Sequence, residues 1–308
     1  MPRWFLYSLV TMLFWGGWGV VSKPLSTALS PWQVQCLSTI GLLPVLIALA
    51  AREFRISKFE FRIWRGSGSN LRRGFWQAFA AGVISSAGNI ACYEALATGG
   101  KAAAVLPFTS LYPLVTIILA VMLLGERLNA VQWGGIAASL AALSFFNVGA
   151  DSAWISPWLA VALVPIALWG VSGFLQKLAT SHASSELVTF AFLLGFLPAA
   201  VLTPAFQAFV WQLSGVTWLL LVLLGLFYGL GNLTLIIAYG TGGRASVVTP
   251  MTSLYSLIAI PLAVLLLHER ISGRESIGIV LALLAVVALG RETPAATREP
   301  TADTGTHP

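Results

Sequence analysis

Charge is what this chain has least of. Of its 308 residues only 9% are Asp, Glu, Lys or Arg, while 57% are hydrophobic; soluble domains carry about a quarter charged residues. From Leu187 to Gly243 none of the four occurs, a run that no water-soluble core of that length sustains. A soluble fold is excluded, and the chain reads as an integral membrane protein. Cysteine is scarce as well: Cys36 and Cys92 both fall in apolar stretches, which argues against a disulfide framework. His182, His268 and His307 are too scattered for a metal site. There is no Gly-rich phosphate loop, no H-E-x-x-H segment and no pair of carboxylates on one span face, so neither a cofactor nor catalysis is expected.

The charge that is present is unevenly placed. The formal net charge is +6, and seven of the seventeen basic residues (Arg52, Arg55, Lys58, Arg62, Arg65, Arg72 and Arg73) share one loop, 52–74. That clustering suits retention on the cytoplasmic side of a membrane rather than a nucleic-acid partner. The apolar start of the chain runs to about Ser22 without a small-residue cleavage site and is read as a retained span, not a signal peptide. The Pro- and Thr-rich tail, 291–308, is expected to be disordered.

A segment of about 20 apolar residues crosses the hydrocarbon as a helix, because an isolated strand in lipid leaves its backbone unpaired. Ten stretches qualify: Phe5–Ser22, Gln33–Ala51, Phe75–Ala97, Ala103–Leu124, Val131–Val148, Pro157–Leu175, Leu187–Val210, Thr217–Tyr239, Val247–Leu267 and Ser276–Gly290. The expected fold is therefore all-α, an integral membrane bundle of about ten transmembrane helices. One hairpin occurs twice, beginning at Gly88 and at Gly231, 143 residues apart. Asn89, Pro107, Tyr112, Glu126 and Arg127 recur as Asn232, Pro250, Tyr255, Glu269 and Arg270. Earlier in each half, Trp15, Gly16, Gly19, Lys23, Gly41 and Pro44 match Trp169, Gly170, Gly173, Lys177, Gly195 and Pro198 at a shift of 154. The chain thus divides into repeats 4–149 and 156–290.

Five spans per repeat is an odd number, which turns the second repeat upside down relative to the first. Charge agrees. The basic loop after the second span corresponds to WQLSGVT after the seventh, which has no basic residue. With both termini cytoplasmic, thirteen of the seventeen basic residues lie inside and only Lys23, Lys101, Arg270 and Arg274 outside. Polytopic proteins built from inverted halves are commonly transporters, with the substrate held between the halves.

The Trp-Gly pair opening each half, the Gly-Gly-Lys/Arg turn before the fourth and ninth spans, the proline within those spans and the closing Glu-Arg resemble the EamA-like branch of the drug/metabolite transporter superfamily. The resemblance runs from about Trp4 to Gly290. It implies an inner-membrane carrier, of a family in which many members export amino acids or other small metabolites, and it leaves the substrate open.

Candidate substrate-binding residues are polar or aromatic groups within spans. Trp15 and Trp169 are repeat equivalents. Trp18, Gly19 and Ser22 follow Trp15 on one helix face, and Ser172, Gly173 and Gln176 repeat that stripe. Two readings compete here: glycines permitting close packing with tryptophan filling the gap, or a cavity lining. Asn89 and Asn232 each need a hydrogen-bond partner, as interhelical glue or as a substrate contact. Tyr93 and Tyr228, with Tyr239 behind them, join the set, as do Tyr112 and Tyr255 in the repeated TSLY segment. Glu94 is the one carboxylate well inside a span, and its repeat equivalent is Ile237; it is a candidate for a coupling proton or a substrate ammonium. Lys23 and Lys177 are expected to snorkel to the interface, and Glu126 and Glu269, beside Arg127 and Arg270, to form local or loop-capping pairs.

The function expected is alternating-access transport of a small metabolite through a central cavity, with the lipid bilayer as surroundings. A membrane-embedded enzyme acting on lipid would need acidic or histidine clusters at one face, and a scaffold would need a large folded domain outside the membrane. Neither feature occurs. Nothing in the sequence specifies an oligomer.

Overall fold

The computed structural model describes residues 1–56, 69–124, 128–146, 156–243, 245–289 and 291, and every regular element among them is helical. In order, the hydrophobic segments are Arg3–Ala28; Pro31–Ser38, a 3-10 turn Thr39–Leu42 and Leu43–Ile56; Ser69–Ala97; Ala102–Thr109 with Pro113–Leu124; Ala130–Phe146; Pro157–Thr180; Ser185–Leu194 with Leu197–Phe206; Gly215–Gly240; Ala245–Ser253 with Ser256–Leu266; and Gly273–Leu289. They are called the first to tenth segments below. Most of the arginine loop, Glu126, Arg127, Trp154, Arg244 and the tail beyond Arg291 lie outside the described residues.

Seven stretches are long and apolar enough by themselves to cross a membrane: Arg3–Ala28, Pro31–Arg52, Ala102–Leu123, Pro157–Thr180, Ser185–Phe206, Gly215–Gly240 and Val248–Leu266. The fifth and tenth segments fall short at 17 residues each. The third is long, 29 residues, but it carries Gln77, Ser85, Ser86, Asn89 and Glu94. The first segment runs past its expected end at Ser22, through Lys23 and Pro24, to Ala28.

Local signals recur in both halves. Ser30 and its equivalent Ser184 cap the second and seventh segments, accepting from the amides of Gln33 at 3.2 Å and Leu187 at 3.3 Å. Gly99 and Gly242 close the third and eighth segments at φ 103° and 95°, the left-handed geometry that glycine adopts without strain. The amides of Gly100 and Gly243 then reach back to the carbonyls of Ala95 and Ala238, which accounts for the repeated Gly-Gly pair. In the TSLY segments the ladder tightens to i→i+3 spacing. Tyr112 N–H reaches Thr109 O at 3.2 Å, and Tyr255 N–H reaches Thr252 O at 3.1 Å. The helix breaks there and not at Pro107 or Pro250, and the break turns both tyrosines toward the middle of the bundle.

The halves interlock by exchanging equivalent contacts. Gly41 packs on Gly225 and the backbone of Val222, while its equivalent Gly195 packs on Gly82 and the backbone of Phe79. Gly16 lies against Tyr255 and Ile258, and Gly170 against Tyr112 and Val115. The indole of Trp15 covers Gly231, and that of Trp169 covers Gly88. Such reciprocity, a contact and its mirror between the same two partners, is the pattern of a two-fold interface. Gly225 and Gly229, four residues apart, are spent within the bundle, against Ser38, Leu42 and Val45.

A methyl group at Gly82 would collide with the carbonyl of Phe192, and one at Gly225 with that of Ser38, whereas nothing lies within 4 Å of one at Gly134. Gly82→Ala and Gly225→Ala are therefore expected to destabilise the bundle by about 1–3 kcal/mol or more, read as a lower melting temperature of the purified protein. Gly134→Ala is expected to be neutral. Equal melting of all three would contradict the interlocking.

Candidate functional site

Between the halves lies a cavity, about 500 Å³ of empty space with its opening to solvent included. The first, third, fourth, sixth, eighth and ninth segments line it with Trp15, Trp18, Ser85, Tyr112, Trp169, Ser172, Gly173, Gln176, Tyr228, Asn232, Leu235, Tyr239, Thr249 and Tyr255. No Asp, Glu, Lys, Arg or His is in that lining. Trp18 is its centre. Its ring lies 5.7 Å from those of Trp169 and Tyr228 and 6.1 Å from that of Tyr93, within the range of edge and offset aromatic contacts. Its indole N–H donates to the Tyr93 hydroxyl at 3.2 Å. Tyr112 meets Trp169 edge-on, and Tyr255 meets Trp15 in the same way.

Seven of the ten residues proposed from sequence thus face one space: Trp15, Trp18, Tyr112, Trp169, Tyr228, Asn232 and Tyr255. Asn89 and Tyr93 lie beside it, on a smaller cavity that also touches Gln35, Ser38 and Tyr228. Glu94 lines neither and is half-buried near the end of the third segment. Sequence reasoning missed Ser85, Leu235 and Thr249. The first two were reachable by helical spacing, since Ser85 is four residues before Asn89 and Leu235 three after Asn232; Thr249, beside Pro250, carried no such signal.

Hydrogen bonds hold the lining in place. Tyr228 Oη and Ser85 Oγ are 2.7 Å apart, Tyr239 Oη and Thr249 Oγ1 2.8 Å, and Ser172 Oγ donates to the Ala81 carbonyl at 2.9 Å. The equivalent tryptophans differ. Trp169 Nε1 donates to Asn89 Oδ1 at 3.1 Å, whereas Trp15 Nε1 has no partner among the described residues, and Asn232 donates to the carbonyl of Tyr228 in its own helix. Gln176 Oε1 is likewise buried without a partner.

The cavity extends toward one end only. Gly173, Gln176, Leu235, Tyr239 and Thr249 line it, while their repeat equivalents Gly19, Ser22, Cys92, Leu96 and Leu106 are packed shut. Ser22, Cys92, Leu96 and Leu106 are each 0% exposed. A Cβ on Gly19 would meet Leu106 at 2.6 Å, but one on Gly173 would meet only the Thr116 hydroxyl at 3.5 Å.

Beyond the closed end the charged groups gather. Lys23 donates to the carbonyls of Leu96 at 2.8 Å and Gly100 at 2.7 Å, instead of reaching to the interface. Glu269, expected in a local or a loop-capping pair, caps: it accepts from the amides of Ala102 and Ala103 at 2.8 Å each, at the start of a helix of the other half. Lys101 joins Glu275 at 2.8 Å and the carbonyl of Arg270 at 2.9 Å. Near the ends of the segments, Trp32, Trp76 and Trp211 are exposed, as tryptophans of an interfacial belt are, while Trp158 packs against Phe108.

Helical halves locked by reciprocal contacts around an aromatic cavity, in a chain with seven stretches able to cross a membrane, define a multi-pass membrane protein of the transporter class. The chain belongs to the EamA-like transporter family, whose model matches it twice, over residues 2–148 and 156–291. A solved structure described only as "Crystal structure of protein" shares the fold at a TM-score of 0.64 and 20% identity, covering 92% of this chain and 94% of that one. No curated protein matches the chain. Membership identifies a transporter of the drug/metabolite type and gives no ground for an enzymatic reading.

One-sided closure makes Gly19 and Gly173 unequal despite their equivalence. Gly19→Ala is expected to lower the melting temperature by several degrees, since about 1 kcal/mol moves a domain of this size by roughly 2–4 °C, and Gly173→Ala to leave it unchanged. The reverse order would contradict the assignment of the closed end.

Proposed function

We propose that this protein is an alternating-access carrier of ten transmembrane helices. It exports a small amphipathic metabolite of the amino-acid type, and its two five-helix halves rock about the aromatic cavity. The observation that carries this reading is the cavity itself: lined by both halves, extended toward one end, and free of ionisable groups other than tyrosine. An uncompensated ion in such surroundings is costly, so the cargo is net-neutral, a zwitterion included. The aromatic rings take its apolar body, and the amide and hydroxyl groups of Asn232, Gln176, Ser85 and Ser172 take its polar ends. Trp15, Trp18, Tyr112, Trp169, Tyr228 and Tyr255 form the body of the site, with Asn89 and Tyr93 supporting it from behind.

The arginine-rich loop after the second segment assigns the sides. With that loop cytoplasmic, both termini are cytoplasmic, the open end with Gln176, Tyr239 and Thr249 faces the cytoplasm, and the closed end with Lys23 and Lys101 faces out. A cytoplasm-facing cavity is the loading state of an exporter.

Counterflow of labelled amino acids and amines in proteoliposomes tests the reading. Neutral amphipathic solutes are expected to exchange, and Trp18→Ala to slow that exchange by about tenfold, the equivalent of 1.4 kcal/mol. Exchange restricted to anions, or absent with correctly inserted protein, would contradict it. Because Glu94 stands apart from the cavity, Glu94→Gln is expected to leave exchange intact; loss of proton dependence in that variant would return Glu94 to the role of proton carrier.

A further inference from the structure

The two ends of the molecule are related by the repeat, and they are tied differently: Arg52 meets Glu186 across the halves at one end at 3.3 Å, with side chains 62% and 27% exposed, and Lys101 meets Glu275 at the other at 2.8 Å, with Glu275 sheltered. Glu275 and its equivalent Gln132 occupy the same position in matching helix caps. Ser272 N–H donates to Glu275 Oε2 at 2.7 Å and Glu275 N–H to Ser272 Oγ at 3.2 Å. Asn129 N–H donates to Gln132 Oε1 at 3.0 Å and Gln132 N–H to Asn129 Oδ1 at 2.9 Å. Both are reciprocal capping boxes, so the glutamate's charge is not needed for the cap. What that charge adds is the bond to Lys101, which reaches across from the other half to both carboxylate oxygens, at 2.8 and 2.9 Å. Glu275 is 8% exposed in its side chain and Lys101 42%, so the pair is half-sheltered and stronger than a fully solvated one.

A second observation points the same way. Glu269 binds the two leading amides of the helix that begins at Ala102, adding another contact from the second half to the first at the same end. Lys23 is engaged by two carbonyls there, whereas its equivalent Lys177 is exposed at the other end with no partner among the described residues.

Resting on the alternating-access reading above, we propose that Lys101, Glu275 and Glu269 form an ionic gate at the Lys23 end. It holds the resting protein closed at the Lys23 end and leaves the cavity open toward Gln176 and Thr249. Opening that end separates Lys101 from Glu275 and withdraws Glu269 from the Ala102 and Ala103 amides. At the opposite end Gln132 stands where the gate has Glu275, so closure there lacks this charge. The resting population is accordingly biased toward the state seen here, which for an exporter is the one that meets its cargo.

Cysteine reactivity tests the gate without knowledge of the solute. In a Cys36→Ala, Cys92→Ala background, Ser22→Cys places a thiol behind the closed end, and its reaction with a charged methanethiosulfonate is timed in membranes open on both faces. Glu275→Gln, which keeps the cap as Gln132 does, is expected to speed that reaction by about three- to tenfold, and Lys101→Met to do the same. Raising the salt to 1 M is expected to speed it in the parent and not in Glu275→Gln. Unchanged rates in both variants would overturn the gate. Counterflow is measured on the same preparations. Persistent counterflow with unchanged Ser22→Cys rates removes the gate and keeps the carrier; faster Ser22→Cys labelling with no counterflow of any solute keeps the gate and removes the carrier.

Discussion

The structure depends on helices approaching to backbone contact at two equivalent crossings, Gly41 on Gly225 and Gly195 on Gly82. In lipid there is little hydrophobic gain in bringing two apolar helices together, so their association relies on close packing and on hydrogen bonds between segments. Small residues at the crossing supply the first. The kinks beside them, the 3-10 turn Thr39–Leu42 and the break at Gly195 and Phe196, let the second and seventh segments bend around the eighth and third. The cavity is what remains at the centre when these two crossings are fixed.

An interface of equivalent contacts has two arrangements available at nearly the same energy, because what one half does at one end the other half can do at its own. Departures from equivalence then decide which arrangement is populated. The Trp169–Asn89 bond is made and the Trp15–Asn232 bond is not; Lys23 is engaged and Lys177 is not; Glu275 is an acid and Gln132 is not. The first two differences can reverse with conformation. The third is written in the sequence and cannot. Nor can the lining of the two ends, polar at Gln176, Tyr239 and Thr249 but apolar at Leu96 and Leu106. On the proposed export cycle, a solute would leave by a surface different from the one it entered by.

Much of this was legible from residues alone. Composition gave the membrane, the shifts of 143 and 154 gave the two halves, and repeat equivalence brought Trp15, Trp169, Tyr112, Tyr255 and Asn232 into one cavity. Pairing across the halves was less legible, since periodicity describes one helix at a time. Glu269 sits next to Arg270 in sequence, which left a local pair and a loop cap both open; the helix beginning at Ala102 presents two unsatisfied amides, and these hold the carboxylate better than a solvated guanidinium does. Glu94 stood out for breaking the symmetry, but it lies one turn from the helix end, where a carboxylate is held near water. Lys101, the nearest lysine to it in sequence, is taken by Glu275. The symmetry-breaking that bears on the gate, Glu275 against Gln132, was hidden inside a polar cap.

The central claim is that the halves exchange two arrangements about one cavity. Double electron–electron resonance in nanodiscs reads this directly, with spin labels at Thr98 and Arg274 on one end and at the equivalent Thr241 and Val131 on the other. The account predicts two distances at each end, with the short distance dominant at the Thr98 end at rest and added solute changing the two ends in opposite senses. A single distance at each end, unmoved by solutes that the protein exchanges, would contradict it.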